Sequence, residues 1–223
     1  MANDYFRFRQ FTVRQSQCAM KVGTDGTLLG SWAQGGRRVL DIGTGTGLIA
    51  LMMAQRFSDA GVTGIDIDEG AVLQARQNVA ESPFAHRIRI KRCDLADEQG
   101  EYDCLVSNPP YFVDSLASSD ARRTMARHAD TLSYATLMAH SWRLLSDGGV
   151  LSVVIPFDCK ARLETEAVLT GFFKTREWAV KTTPTKSPRR YLLAFRKHSQ
   201  ELEQGELVIG SEAYVELTKD FYL

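Results

Sequence analysis

The sequence predicts a doubly wound α/β fold built as a single domain. Short apolar runs of strand length alternate with stretches of helical period from residue 38 to residue 196. A glycine-rich turn, Asp41-Ile42-Gly43-Thr44-Gly45-Thr46-Gly47, separates the first apolar run from the first long helical stretch. The chain has 223 residues, 44% of them hydrophobic, which suits one sizeable core.

Residues 1–36 precede the first core strand, and Gly23 to Ala33 within them suit a short helix with Thr24 or Asp25 near its N-cap. Residues 37–223 form the expected α/β core. Arg38 to Ile42 is the first strand, stopping at the glycines. Thr46 to Arg56 is a helix, with Leu48, Leu51 and Met52 on one face. Val62 to Asp66 is the second strand, and Asp68 suits the cap of a helix carrying Val72, Ala75 and Val79. Arg87 to Lys91 is the third strand and Tyr102 to Ser107 the fourth.

Asp114 to Asp130 is polar and has no period. Leu132 to Leu145 is helical, ended by Gly148-Gly149, and Val150 to Ile155 is the fifth strand. A helix over Ala161 to Leu169 and strands over Phe172 to Lys181 and Tyr191 to Arg196 complete the pattern.

Charge narrows the partners less than the motifs do. Lys and Arg total 27, as do Asp and Glu. Basic residues nonetheless dominate Lys174 to Lys197, where Glu177 is the one acid, and Glu201 to Asp220 is acidic. Such a strip suits a bound polyanion such as RNA, although a solvated face with compensating charges is the simpler reading. Cys18, Cys93, Cys104 and Cys159 have no zinc-type spacing, and no metal is expected. The start, Met1-Ala2-Asn3-Asp4-Tyr5, lacks an apolar leader. No apolar run reaches the roughly 18 residues of a membrane span. The expected compartment is the cytoplasm, with no membrane partner.

Two loops carry chemistry. Gly43, Gly45 and Gly47 let the backbone turn tightly and approach a ligand. Their spacing fits a dinucleotide fingerprint poorly, because Leu48 stands where its third glycine belongs. A nucleoside cofactor fits better. Asp66 ends the second strand, where a carboxylate can accept both ribose hydroxyls, and Asp94 follows the third.

The second loop is Asn108-Pro109-Pro110-Tyr111, after the fourth strand. An exocyclic amine on a flat ring is a poor nucleophile, because its lone pair is delocalised. The Asn108 side-chain oxygen and the Pro109 carbonyl offer two acceptors for its two N–H bonds. The prolines stiffen the backbone that presents them, and Tyr111 offers a ring for stacking an unpaired base.

Together, Asp-x-Gly-x-Gly-x-Gly, Asp66 and Asn-Pro-Pro-Tyr resemble the S-adenosylmethionine-dependent amino-methyltransferases of class I fold. That group includes DNA adenine, RNA guanine, RNA adenine and protein glutamine enzymes. Cys18 to Ala33, Glu81 to Ile88 and Asp220 to Leu223 are similar to the bacterial family that methylates N6 of adenine 37 in tRNA1(Val).

The resemblance implies a mostly parallel, Rossmann-like sheet of seven strands, the last antiparallel, and S-adenosylmethionine as cofactor. It places Lys21, Gly23, Thr24 and Asp25 over the methionine end, within an N-terminal covering segment. It adds Asp41, Gly43, Gly45, Gly47, Asp66, Asp94 and Asn108 to the cofactor set, with Asp94 on the adenine amino group. Asn108, Pro109, Pro110 and Tyr111 would hold the target adenine.

The expected partner is tRNA and the expected state a monomer. RNA-contact candidates are Arg7, Arg9 and Arg14, then Arg122, Arg123 and Arg127, then Lys186, Arg189 and Arg190. Another RNA base, or a glutamine amide on a protein, remains an alternative substrate. A non-catalytic binding module is a further reading, against which Asn108 and Asp66 argue.

Overall fold

The computed structural model describes residues 4–16, 21–110 and 132–223. In chain order the elements are β1 (Tyr5–Arg7), β2 (Thr12–Arg14), α1 (Thr24–Trp32), β3 (Arg38–Ile42), α2 (Leu48–Arg56), β4 (Gly61–Asp66) and α3 (Glu69–Ala80). There follow β5 (Ile88–Arg92), β6 (Tyr102–Ser107), α4 (Tyr134–Leu144), β7 (Leu145–Pro156) and α5 (Lys160–Thr170). The chain continues through β8 (Phe173–Lys181), β9 (Arg190–Arg196), β10 (Glu203–Val208) and α6 (Glu212–Thr218).

The sheet order is β10-β8-β9-β7-β6-β3-β4-β5. Strands β5, β4, β3, β6 and β7 run parallel, and β9 is antiparallel to both β7 and β8. The seven expected strands are present, with the last antiparallel. An eighth, β10, pairs parallel with β8 at the edge. Its first four residues, Glu203 to Glu206, include no apolar side chain and only Leu207 is buried, so it lacks an apolar run to announce it.

Both faces of the central strands are buried, which is why they read as continuous apolar segments. Val39, Cys104 and Val106 point into one core with α1, α2 and α3. Leu40, Ile42, Leu105 and Leu151 point into the other, beneath α4 and α5. The parallel strands therefore end along one edge, the usual position for a ligand crevice in this architecture.

The N-cap of α1 is Gly23, in extended conformation and without a side-chain cap, and Thr24 and Asp25 follow it in the first turn. Two local differences from the sequence reading have physical causes. Helix α4 stops at Leu144, before Gly148-Gly149, because Leu145 already pairs with Tyr102 and the Lys197 ammonium donates to the Leu145 carbonyl at 2.6 Å. Gly149 belongs to β7, where a Cβ would lie 3.0 Å from the Asp103 carbonyl oxygen. Asp68 caps α3 as expected, accepting from the Ala71 N–H at 2.6 Å.

The N-terminal hairpin β1–β2 has no clear sequence signature. It is held from outside: Phe8 and Phe11 stack at 4.8 Å, Phe8 lies 6.1 Å from Tyr222, and the Arg9 N–H donates to the Phe221 carbonyl. Asn78, on α3, is fully buried. It accepts from the Arg14 N–H at 2.8 Å and donates to the Arg14 carbonyl at 2.9 Å and the Thr46 carbonyl at 2.8 Å. One amide thus fixes the hairpin, α3 and the glycine turn together. Asn78→Ala leaves the buried bond to the Thr46 carbonyl unmade, a loss of roughly 1–3 kcal/mol. Urea unfolding should register a loss of at least that size, and an unchanged midpoint would contradict this bridging role.

A candidate cofactor and amino-group site

The glycine turn begins as an extension of β4 pairing. The N–H groups of Gly43 and Thr44 both donate to the Ile65 carbonyl, at 3.0 and 2.9 Å. Gly43, Gly45 and Gly47 have φ of +70°, +53° and +80°, the left-handed region that glycine enters without steric cost. A Cβ on Gly43 or Gly45 would meet nothing within 4 Å, so the backbone there faces open space. A Cβ on Gly47 would come 3.3 Å from Ala75, so this glycine serves packing against α3.

Asp41 lies beneath the turn with no exposed surface. Its Oδ2 accepts from the Thr44 hydroxyl at 2.6 Å and from the Ala50 N–H at 3.0 Å. That joins the turn to the first residues of α2. Asp66 links the next loop: Oδ2 accepts from the Gly45 N–H at 2.9 Å and Oδ1 from the Asp68 N–H at 3.0 Å. Asp94, after β5, accepts from the Ala96 N–H through Oδ1 at 2.8 Å. Its loop is braced by buried Glu98, which accepts from the Lys91 ammonium at 2.8 Å and the Tyr102 hydroxyl at 2.7 Å.

Asn108 follows buried Ser107, whose hydroxyl donates to the Ile42 carbonyl at 2.9 Å. The ends of β3 and β6 are thereby tied where their loops diverge.

These loops surround a cavity of about 930 Å³. Of the sequence-derived residues, Lys21, Gly23, Thr24, Asp25, Gly43, Gly45, Asp66, Asp94, Asn108, Pro109 and Pro110 line it. Asp41 and Gly47 do not: Asp41 is sealed under the turn and Gly47 faces α3. Both shape the cradle from behind. Tyr111 lies outside the described residues.

Ile67, Leu95, Leu132, Thr136 and Arg190 also line the cavity. Sequence reasoning missed Ile67 although it directly follows Asp66. An exposed apolar side chain beside a strand-end acid was the available signal. Arg190 reaches the site through the fold, forming an ion pair with Asp25.

The donor set suits a nucleoside cofactor. Asp66 offers carboxylate oxygens at a strand end, the glycines leave backbone accessible, and Ile67 and Leu95 supply apolar wall.

The basic candidates divide. Arg14 pairs with Glu81 at 2.9 Å, and the Arg9 guanidinium donates to the Tyr222 carbonyl. Lys186, Arg189 and Arg190 line a second cavity, of about 780 Å³. Arg122, Arg123 and Arg127 lie outside the described residues.

Burial pushes the Asp41 carboxyl up from 3.8 to about 7, against the opposing hydrogen bonds from Thr44 and Ala50. As pH rises from about 4 to about 7, the unfolded chain ionises at this position while the fold retains the proton. Wild-type stability from this group therefore falls across that window. Asp41→Asn should gain stability relative to wild type as pH rises over the same interval, then level off, in paired urea titrations. A difference that stays flat from acid to neutral pH would contradict the buried carboxyl's role.

Residues 22–184 match the methyltransferase small domain family. A Bacteroides thetaiotaomicron protein named tRNA1(Val) (adenine(37)-N6)-methyltransferase is 47% identical, with 100% of this chain and 99% of that protein covered. A Trichodesmium erythraeum protein of the same name is 41% identical with the same coverage. Among solved structures, a predicted O-methyltransferase from Agrobacterium tumefaciens has a TM-score of 0.70 at 19% identity, covering 88% of this chain and 96% of its own. TrmN from Thermus thermophilus has a TM-score of 0.57 at 24% identity, covering 77% of this chain and 47% of its own. These two share the fold. A matched domain that spans both chemical loops, together with relatives similar along the whole chain, makes this protein a member of the methyltransferase small domain family.

Proposed function

We infer that this enzyme transfers a methyl group from S-adenosylmethionine to N6 of adenine 37 in tRNA1(Val), in the cytoplasm. The observation that carries this reading is the meeting of Asn108 and Pro109 with Asp66, Gly43 and Gly45 around one cavity. An amino-group acceptor and a nucleoside cradle are thus within one site. The full-length relatives named for this tRNA position support the choice of substrate. Because those names concern tRNA, they favour it over the glutamine amide that Asn-Pro-Pro-Tyr would serve equally well.

Bound S-adenosylmethionine supplies an electrophilic methyl group on a sulfonium. The protein's residues orient the two reactants. Asp66 would take the ribose hydroxyls, and the open backbone at Gly43 and Gly45 would let the cofactor approach without side-chain obstruction. Lys21 to Asp25 would cover the methionine end, and Asp94 would accept from the cofactor's adenine amino group.

Asn108 Oδ1 and the Pro109 carbonyl accept the two N–H bonds of the target amine. This draws its lone pair out of the ring toward the methyl carbon. With the cofactor bound, the N–C bond would form as the sulfonium C–S bond breaks, the electron pair of that bond passing to sulfur. The extra proton on the methylated nitrogen then leaves to water. Neither Asn108 nor Pro109 takes it up, so their contribution is preorganised acceptors rather than general-base catalysis.

Asn108→Ala tests this assignment. Turnover should fall by roughly 10²–10³-fold, the effect of one transition-state hydrogen-bonding group, while calorimetry finds S-adenosylmethionine still bound. Near-wild-type turnover would refute the role of Asn108.

A further inference from the structure

The second cavity lies beside the first along the carboxyl edge of the sheet, and Asp25 and Arg190 line both. Its walls are Pro156 at the end of β7, Phe157 and Asp158 just after it, Thr182 and 186–189 from the β8–β9 connection, and Arg190 at the start of β9.

Charge distinguishes this place from the rest of the basic strip. Lys174 pairs with Glu164 and Glu177, Arg176 with Glu203, Lys181 with Glu206 and Arg190 with Asp25. Arg196 donates to the Gly148 and Gly149 carbonyls, and Lys197 to that of Leu145. The acidic stretch after Glu201 thus neutralises two of these cations, Arg176 and Lys181, through β10 pairing with β8. Among the described residues, Lys186 and Arg189 are paired with no carboxylate. Both are exposed on the second cavity, and Asp158 is the one acid there besides the Arg190-bound Asp25.

An aromatic ring stands beside these two cations. Phe157 is 51% exposed, although its backbone is fixed by an N–H bond to the Arg189 carbonyl at 3.0 Å. A fixed open ring next to unpaired cations is the combination that single-stranded nucleic acid exploits, base on ring and phosphate on cation.

We propose that this second cavity is the subsite for a nucleotide neighbouring the methylated adenine, its base stacked on Phe157 and its phosphate against Lys186 and Arg189. The proposal rests on the RNA reading above and assigns where that RNA continues beyond the target base. Arg190, held by Asp25, is the shared wall between the two positions.

Steady-state methylation of unmodified tRNA by full-length variants tests it. Phe157→Ala should raise KM for tRNA by roughly 5- to 150-fold, the range of one lost base stack. Its kcat and its calorimetric affinity for S-adenosylmethionine should stay near wild type, and Phe157→Tyr should restore KM. Lys186→Ala with Arg189→Ala should flatten the dependence of log KM on log salt by about 0.7 for each phosphate contact removed.

Unchanged KM and salt dependence in these variants, with an active wild type, would overturn the subsite and leave the function standing. A Phe157→Tyr protein as impaired as Phe157→Ala would overturn the stacking role. A wild type that methylates a protein amide and no RNA would remove the functional reading and this one with it.

Discussion

The buried Asp41 carboxylate is the interaction on which the site depends. A turn with three glycines at positive φ has only Thr44 and Thr46 as buried side chains of its own. Asp41 supplies the anchor by accepting from Thr44 within the turn and Ala50 in α2. Asp66 then joins Gly45 to the loop after β4, and Asn78 joins Thr46 to α3 and the N-terminal hairpin. The cradle is therefore rigid from behind and bare in front, which lets a cofactor approach backbone rather than side chains. The cost is a carboxyl in a dry place, and its raised affinity for a proton reflects that.

Parallel strand ends bring the rest of the chemistry to the same edge. The loops after β3, β4, β5 and β6 deliver Gly43, Asp66, Asp94 and Asn108 to one cavity although these residues span some sixty positions of sequence. Acceptors for the cofactor and acceptors for the target amine thus need no motion of the sheet to meet. Beyond that edge, carboxylates pair with Lys174, Arg176, Lys181 and Arg190 of the strip that looks basic in sequence, Arg196 and Lys197 bind backbone carbonyls, and Lys186 and Arg189 stay exposed on the cavity that Phe157 also lines.

The central strands were legible because both of their faces are buried, leaving continuous apolar runs such as Val39-Leu40 and Cys104-Leu105-Val106. The strand-end acids were legible because Asp66 ends an apolar run and Asp94 follows a strand in which Ile88 and Ile90 alternate with charges. The hairpin, β10 and α6 were not. Phe8 is buried against Tyr222 at the far end of the chain and Phe11 against Phe84, and β10 is an edge strand paired with β8 in which Leu207 is buried. Asp41 was legible as an acid of the motif, but its direction was not: alternation along β3 turns it inward to α2 rather than toward the ligand. Arg190 lining the cofactor cavity depends on its pairing with Asp25, a contact between segments that sequence spacing does not reveal.

The most direct test of the central claim is transfer from methyl-labelled S-adenosylmethionine to total tRNA lacking this modification, followed by mapping of the labelled nucleotide. The account predicts label on N6 of adenine 37 of a valine tRNA. Label at another nucleotide, or only in protein, would contradict it.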